Sequence, residues 1–243
     1  MFAPHSPSAT DILGANLTAS GDHLLGTDPL GRDIYSRLLY GARLSLLGPA
    51  IVVCAATLFG TSLAIASAWW GGRLDRVIAR GVDVLFAFPA LLVAILAVAI
   101  FGHGLWAPVV ALAIAYTPYL ARVVRTVAVR ERSLPYIDAL HLAGLSGWRI
   151  CTRHILPNVL PMVRAQATIG FGSALVDLAG ISFLGLGVQA PDAEWGLMVS
   201  DGRSALLNGY PMESISAGFM IIVTVVAFNV LGERLAQRSE VDR

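Results

Sequence analysis

Few side chains in this sequence could carry out covalent chemistry, and those few are scattered. Its two cysteines stand alone, without the paired spacing of a zinc site, and no His-Glu-x-x-His pattern is present. The histidines fall in unrelated segments and form no evident metal site: they are His5, His23, His103, His141 and His154. We therefore expect neither a catalytic residue nor a metal ligand, which argues against an enzyme.

The basic residues exclude a second kind of chemistry. ATP hydrolysis by a P-loop requires a lysine that contacts the phosphates, and all 17 basic residues here are arginine. Any step driven by ATP must therefore be supplied by a separate subunit. We expect this chain to hold no cofactor of its own.

Asp177 is an acidic residue well inside an apolar stretch. Placing a charged carboxylate in hydrocarbon costs about 2.5–3.5 kcal/mol on insertion scales, so the side chain should face other helices or a water-filled cavity. Two interpretations stay open: Asp177 lines a transport pathway and contacts a substrate amine or cation, or it makes a structural hydrogen bond. Ser182, further along the same stretch, is the second candidate for the pathway.

The composition places these residues in a membrane. Of 243 residues, 56% are hydrophobic and 14% are charged, whereas soluble domains carry about 25% charged residues. Stretches long enough to span a bilayer lie near 44–69, 84–101, 105–121, 165–188 and 213–232. The sequence thus predicts an all-α, polytopic membrane protein, with an N-terminal segment at 1–43 and a transmembrane domain at 44–243.

Local signals refine this outline at two places. Asp33 is a plausible cap for a helix beginning at Ile34, and that helix could lie along the membrane surface ahead of the first span. Pro89 lies inside the second span and predicts a kink there.

A polar insert, residues 126–160, separates the third and fourth predicted spans. Pro135 can start a helix over 136–143, Gly144 can end it, and a second helix over about 147–155 should end before Pro157. The small apolar face around Ala139 suits docking into the groove of a partner. An ordinary surface helix, with arginines against lipid headgroups, is the alternative.

The arginines also predict an orientation. They concentrate in the first short loop, in and around the insert, and in the C-terminal tail, so the positive-inside rule places the insert and the C-terminus in the cytoplasm. Residues 1–43 and the acidic loop 189–212 then lie outside. Because five spans with an inner C-terminus require an outer N-terminus, we expect that an N-terminal span is missing; a true N-out protein is the alternative.

Three motifs resemble those of one family, the ABC-importer permeases. Residues 136–158 resemble its "EAA loop", although Asp138 stands where Glu is usual and the bulkier Leu140 where Ala is usual. Residues 23–33 and 182–188, followed by Pro191 and Glu194-Trp195-Gly196, are similar to the signatures of dipeptide, oligopeptide and nickel permeases.

The resemblance implies a type I importer permease fold with a cytoplasmic coupling helix, in the inner membrane of a bacterium. Family members usually have six spans, with one more before residue 1. The resemblance also implies that the coupling helix docks on an ATPase, and the residues assigned to that contact are Asp138, Ala139, Leu140, Gly144, His154, Leu156 and Pro157.

The implied partners are a second, related permease in a heterodimer, two ATPase subunits that bind the ATP, an extracytoplasmic binding protein and the lipid bilayer, but no nucleic acid. The implied function is translocation of di- or oligopeptides, with nickel or another small solute as the alternative. An ion-coupled secondary transporter is the alternative of another class, and its only support is Asp177.

Overall fold

The computed structural model describes the backbone of residues 3–241 and the side chains of residues 3–237. Over that range it is helical, with no β-strand and one isolated bridge between Thr27 and Asp33. The expected all-α class is confirmed. The helices are α1 (Ile34–Trp70), α2 (Gly72–Phe86), α3 (Ala90–Phe101), α4 (Trp106–Arg132), α5 (Pro135–Leu142), α6 (Gly147–Ile150), α7 (Leu156–Phe183), α8 (Trp195–Asp201), α9 (Arg203–Leu207) and α10 (Met212–Val241).

Four helical segments of the described chain are long and apolar enough to cross a membrane: α1, α4, the continuous run Gly147–Phe183, and Met212–Gln237 of α10. The pair α2 and α3 adds a fifth if both helices belong to one span. These two helices are bent by 78° where they meet, beside Pro89. The predicted kink is therefore a complete break, because proline lacks the N–H and its ring clashes with the preceding turn. The stretch 84–101, predicted as a kinked span, is divided between the end of α2 and α3.

The first span begins earlier than its apolar stretch. α1 starts at Ile34 as predicted, and a carboxylate oxygen of Asp33 accepts the backbone N–H of Ser36 at 2.8 Å, which is an N-cap contact. The helix then continues without interruption to Trp70. The surface helix expected ahead of the first span is therefore the beginning of the span helix itself.

α10 is the most exposed of the candidate spans. Only 11% of its apolar window is buried, and Phe219 and Ile222 are each 62% exposed. Such a continuous apolar face is unfavourable in water but is compatible with lipid. The exposed face of α10 therefore fits a membrane environment.

The chain divides into two compact units, which we describe separately. The signature unit comprises Met1–Ile51, Leu91–Ala111 and Gly172–Ala227; the insert unit comprises Val52–Ala90, Leu112–Phe171 and Phe228–Arg243. A core of the signature unit contains Ile34, Leu38, Trp195, Met198 and Ala217. A core of the insert unit contains Ala64, Ala68, Val124, Ala128, Ile137, Ile150, Cys151, Ile155, Val159 and Val163.

Candidate functional site

The predicted coupling helix is α5, and it is amphipathic. Ile137 is 2% exposed and belongs to the core of the insert unit, against which Leu140 also packs. Asp138 and Ala139 are exposed, and Leu142 is 91% exposed. α5 thus buries one face in its own unit and presents a small acidic and apolar face outward.

Gly144 ends this element, as predicted. Its φ is +80°, in the left-handed region that favours glycine. The backbone N–H of Leu145 donates to the carbonyl of Leu140 at 3.2 Å, and the N–H of Gly144 donates to the carbonyl of His141 at 2.9 Å. This closure of the last turn resembles a Schellman motif and satisfies carbonyls that the helix end would leave free.

Trp69, the penultimate residue of α1, anchors the insert. Its ring stacks on His141, with centroids 5.2 Å apart and an interplanar angle of 22°. Gly147 lies on the same indole, so closely that an added Cβ would stand 2.6 Å from Cζ2. The Arg132 guanidinium lies 5.5 Å from the Trp69 ring and donates to the carbonyl of Ala68 at 2.8 Å. Both helices of the insert, α5 and α6, are therefore packed against the end of α1.

The second helix of the insert does not end before Pro157. α6 passes into a π-helical turn, Cys151–Ile155, which leads directly into α7. In this wider turn the N–H of Leu156 donates to Cys151, five residues earlier. A regular α-helix would be disrupted by the ring and the missing N–H of Pro157, and the π-turn immediately before it accommodates the proline. The first helix and the turn form as predicted, and the second helix of the expected helix–turn–helix is the beginning of a span.

The predicted contact residues therefore separate into two sets. Asp138, Ala139, Gly144 and Pro157 are exposed. Leu140, His154 and Leu156 are half-buried. Of these, Leu140 and Leu156 pack on the core of the insert unit. A contact between any of these residues and an ATPase stays a prediction.

A hydrogen-bonded cluster joins the ends of three helices. The Tyr136 hydroxyl donates to a carboxylate oxygen of Glu131 at 2.6 Å, and the Asn158 amide donates to the same oxygen at 2.6 Å. Burial, followed by the hydrogen bond and the negative charge of Glu131, raises the pKa of Tyr136 to about 12. The cluster ties α4, α5 and α7 together, and sequence reasoning missed it because its members lie up to 27 residues apart.

A second polar contact fixes the helix that leads into the insert. The guanidinium of Arg125 in α4 binds both carboxylate oxygens of Asp75 in α2, at 2.7 and 2.6 Å, and donates to Ser67 of α1 at 2.9 Å. A bidentate pair is geometrically specific as well as strong. These contacts therefore fix α1, α2 and α4 relative to one another near the insert.

In the signature unit, residues 23–33 form a tight loop around the carboxylate of Asp28, which is 1% exposed. One oxygen accepts the N–H groups of Leu30 and Arg32 at 2.9 and 2.8 Å, and the other accepts Arg32 Nε at 2.5 Å. The positive φ of Gly31, +74°, closes the turn, where an added Cβ would collide with the Asp11 carbonyl. The first signature motif, residues 23–33, is therefore a turn that is stabilised by hydrogen bonds among its own residues.

This turn belongs to a cluster of charged residues made up of Asp28, Arg32, Arg37, Asp201 and Glu213, all buried except Asp201, which is half-buried. Arg37 is fully buried, and its guanidinium lies 3.6 Å from Asp28, 3.5 Å from Asp201 and 3.8 Å from Glu213. Buried charges are stable only when they are paired. The cluster joins the loop before α1 and the first turns of α1 to the end of α8 and to the first turn of α10.

The second signature motif also folds inward. Glu194, one of the acids of the segment 189–212, is 4% exposed. Its carboxylate caps α8 by accepting the N–H groups of Gly196 and Leu197 at 3.0 and 2.9 Å, and it accepts the Ser45 hydroxyl at 2.9 Å. The Trp195 indole donates to the Leu38 carbonyl at 2.9 Å. The motif therefore holds α8 against α1.

The two pathway candidates lie in α7. Asp177 is half-buried, which is compatible with both interpretations offered above. Ser182 is 4% exposed and packs so closely on Gly187 that an added Cβ there would collide with the Ser182 hydroxyl. Ser182 thus has a clear packing role in the signature unit, and a role in a pathway stays a prediction for both residues.

The histidines are not all scattered. The ring centroids of His5 and His23 are 4.9 Å apart, and His23 Nδ1 lies 2.9 Å from a carboxylate oxygen of Asp33. Sequence reasoning did not predict this group, because its members approach one another only when the N-terminal segment folds onto the start of α1.

Comparison with known proteins identifies the family. A model described as the binding-protein-dependent transport system inner membrane component matches residues 56–240. The chain belongs to this family. The membership confirms the resemblance seen in the motifs and makes the chain a membrane transport subunit.

Two relatives and one solved structure illustrate the similarity. The dipeptide transport system permease protein DppC of Alkalihalophilus pseudofirmus is 42% identical over 216 residues, which cover 89% of this chain and 71% of the relative. The nickel transport system permease protein NikC of Escherichia coli is 34% identical over 236 residues, 96% of this chain and 84% of the relative. An inward-facing structure of the MetNI methionine ABC transporter matches the fold with a TM-score of 0.67 at 18% identity, over 85% of this chain and 97% of the matched chain.

Proposed function

We propose that this chain is the translocation subunit of an ATP-driven importer of di- or oligopeptides, and that α5 is its coupling helix. The observation that carries the coupling role is the outward face of α5, where Asp138, Ala139 and the almost fully exposed Leu142 stand on a tightly anchored element. A small apolar face with one acidic residue fits a helix-in-groove contact. The peptide substrate is supported by the similarity to dipeptide permeases.

The anchoring of α5 explains how a push on it could move the spans. Stacking of Trp69 on His141 connects α5 to α1, and the cluster of Glu131, Tyr136 and Asn158 connects it to α4 and α7. A displacement of α5 is therefore transmitted to three candidate spans. ATP binding would close the ATPase subunits, move the docked α5 and rock the spans between inward and outward openings.

The proposed assembly contains two ATPase subunits, which bind the ATP, a second and related permease in a heterodimer, and an extracytoplasmic binding protein. The arginine distribution supports a cytoplasmic insert and C-terminus. The seven residues assigned to the ATPase contact are proposed with this orientation; the exposed ones would touch the ATPase, and Leu140 and Leu156 would support them from the core side.

Nickel stays the second candidate substrate, because the nickel permease NikC is also similar over nearly the whole chain. Membership of the binding-protein-dependent family argues against the alternative of an ion-coupled secondary transporter. In a binding-protein-dependent importer the delivery protein takes part in selecting the substrate. Calorimetry on the cognate delivery protein separates the two candidates, because it compares the affinity for short peptides with the affinity for Ni²⁺.

The coupling role is tested with matched surface substitutions in the co-expressed complex. Leu142→Asp places a charge on the proposed docking face, and Leu207→Asp places one at the end of α9, where Leu207 is 82% exposed. We expect Leu142→Asp to abolish retention of the ATPase subunits during purification, while Leu207→Asp retains them. Equal retention by both variants would show that α5 is not the docking element.

A further inference from the structure

We propose that His5, His23 and Asp33 form a binding site for a divalent transition-metal ion in the N-terminal segment. Each of the three residues offers one ligand atom, and these atoms lie within 4.8 Å of one another. The two imidazole rings are tilted by 38°, and the carboxylate belongs to a residue that is 3% exposed. This site belongs to the signature unit and goes beyond the proposed transport role.

His23 Nδ1 and Asp33 Oδ1 lie 2.9 Å apart, a separation close to that of neighbouring ligands on one ion. The ring of His5 is oriented by a contact typical of metal-ligating histidines, because its Nε2 lies 2.9 Å from the carbonyl of Asp22. A metal-bound imidazole usually uses its second nitrogen in a hydrogen bond to a backbone carbonyl or a carboxylate, and that bond selects its tautomer.

The backbone around the site is also fixed. The N–H of His5 donates to the Ser36 hydroxyl at 3.1 Å, which attaches the N-terminal segment to the first turn of α1. The Ser36 N–H donates to the second carboxylate oxygen of Asp33 at 2.8 Å. One ligand residue is thus part of a helix cap, and another is attached to the same turn.

The ligand types select the class of ion. Two imidazoles and one carboxylate suit Zn²⁺, Ni²⁺ or Cu²⁺, whereas Ca²⁺ and Mg²⁺ prefer oxygen ligands throughout. Neighbouring ligands of a tetrahedral zinc ion with bonds of about 2.0–2.1 Å lie about 3.3 Å apart. His5 is exposed, so its ring can rotate to close the remaining separation while Asp33 stays in place.

A metal-free interpretation would make His23 only a partner that supports the Asp33 cap. That interpretation assigns the ring of His5 only its contact with the Asp22 carbonyl, and it does not account for the close approach of the two rings. A bound ion accounts for both rings and for the contact between the segment and α1. Its consequence is a cross-link between residues 5, 23 and 33, which would fasten the N-terminal segment to the start of the first span.

The site is tested by titrating Zn²⁺ into the 243-residue chain in nanodiscs, purified with a tag that contains no histidine and washed with EDTA. We expect one saturable site by calorimetry. His5→Ala and His23→Gln should each lower the affinity at least about tenfold, since even outer-shell changes cost that much. His103→Ala, at another exposed histidine, should bind like the unsubstituted chain.

A fold control uses the thermal transition in EDTA, which His5→Ala should leave unchanged, because the ring of His5 is exposed and its backbone contact with Ser36 remains. Zn²⁺ should raise that transition in the unsubstituted chain and not in His5→Ala. The proposal is overturned if no saturable binding occurs at micromolar Zn²⁺, or if either histidine variant keeps the original affinity.

Discussion

The rings of Trp69 and His141 stack with their centroids 5.2 Å apart, so the last turn of α5 rests directly on the end of α1. Gly147 lies on the same indole at a distance that leaves no space for a side chain. Trp69 therefore touches both helices of the insert. A single residue thus connects the proposed docking element to a candidate span.

Replacing Trp69 by alanine should uncouple the insert. We expect loss of stacking on His141 and a cavity beside Gly147; because Trp69 is half-buried, the destabilisation should be at most about 3 kcal/mol, the lower end of the range for a buried aromatic residue. Transport driven by ATP in proteoliposomes should fall strongly, and the segment 133–147 should become sensitive to protease. The neighbouring Trp70, 65% exposed, provides the control, and Trp70→Ala should leave both measurements almost unchanged. Equal effects of the two substitutions would refute the anchoring role.

Gly144→Ala tests the turn of the insert. No atom lies within 4 Å of an added Cβ, so the cost is conformational, about 1–2 kcal/mol for a left-handed L-residue. We expect a lower thermal midpoint and weaker coupling of ATP hydrolysis to transport. Gly81→Ala in α2 is the matched control, because it also meets no atom within 4 Å but lies in a helix, and it should be neutral or slightly stabilising. A neutral Gly144→Ala would contradict the strained turn.

The Tyr136 hydroxyl should resist ionisation. A raised pKa means that the folded state favours the neutral phenol, so this stabilisation is present below about pH 10 and is lost as pH rises through about 12. The difference in tyrosinate absorbance between the unsubstituted chain and Tyr136→Phe should therefore titrate near 12. Glu131→Gln keeps an acceptor oxygen but removes the charge, and it should move that midpoint toward 10. A midpoint near 10 in the unsubstituted chain would disprove the contact with Glu131.

Arg37 should be essential to the signature unit. Arg37→Met removes a fully buried cation that lies near Asp28, Asp201 and Glu213. Because Arg32 still pairs with Asp28, the cost should lie toward the lower end of the about 3–5 kcal/mol expected when a buried pair is broken. The thermal midpoint in detergent should fall accordingly. Arg43→Met, at an exposed arginine of the same helix, should change it little.

A double substitution separates pairing from packing. Arg37→Met combined with Glu213→Leu should be less destabilising than the sum of the two single changes, because the residues share one interaction. Strict additivity, measured by the same thermal midpoints, would mean that the cluster does not act as an ion-paired group.

Local rules were sufficient for the outline of this protein. Apolar stretches long enough to span a bilayer predicted the helical class. Asp33 predicted the beginning of α1, and Gly144 predicted the end of α5. These features depend on residues close together in the chain, whose energies are set by backbone geometry and hydrophobic length. The same rules overestimated the effect of Pro157, since a π-turn next to it preserves the helix.

The identity of each side chain's partner was decided only by the tertiary structure. Glu194 looked like a surface acid but is a buried cap bonded to Ser45, and His5 and His23 looked unrelated but lie side by side. Arg37 and Glu213 stand at opposite ends of the sequence and meet inside the signature unit. Charges and rings separated by many residues gain energy only after the helices have packed, so spacing along the chain contains no record of those pairings.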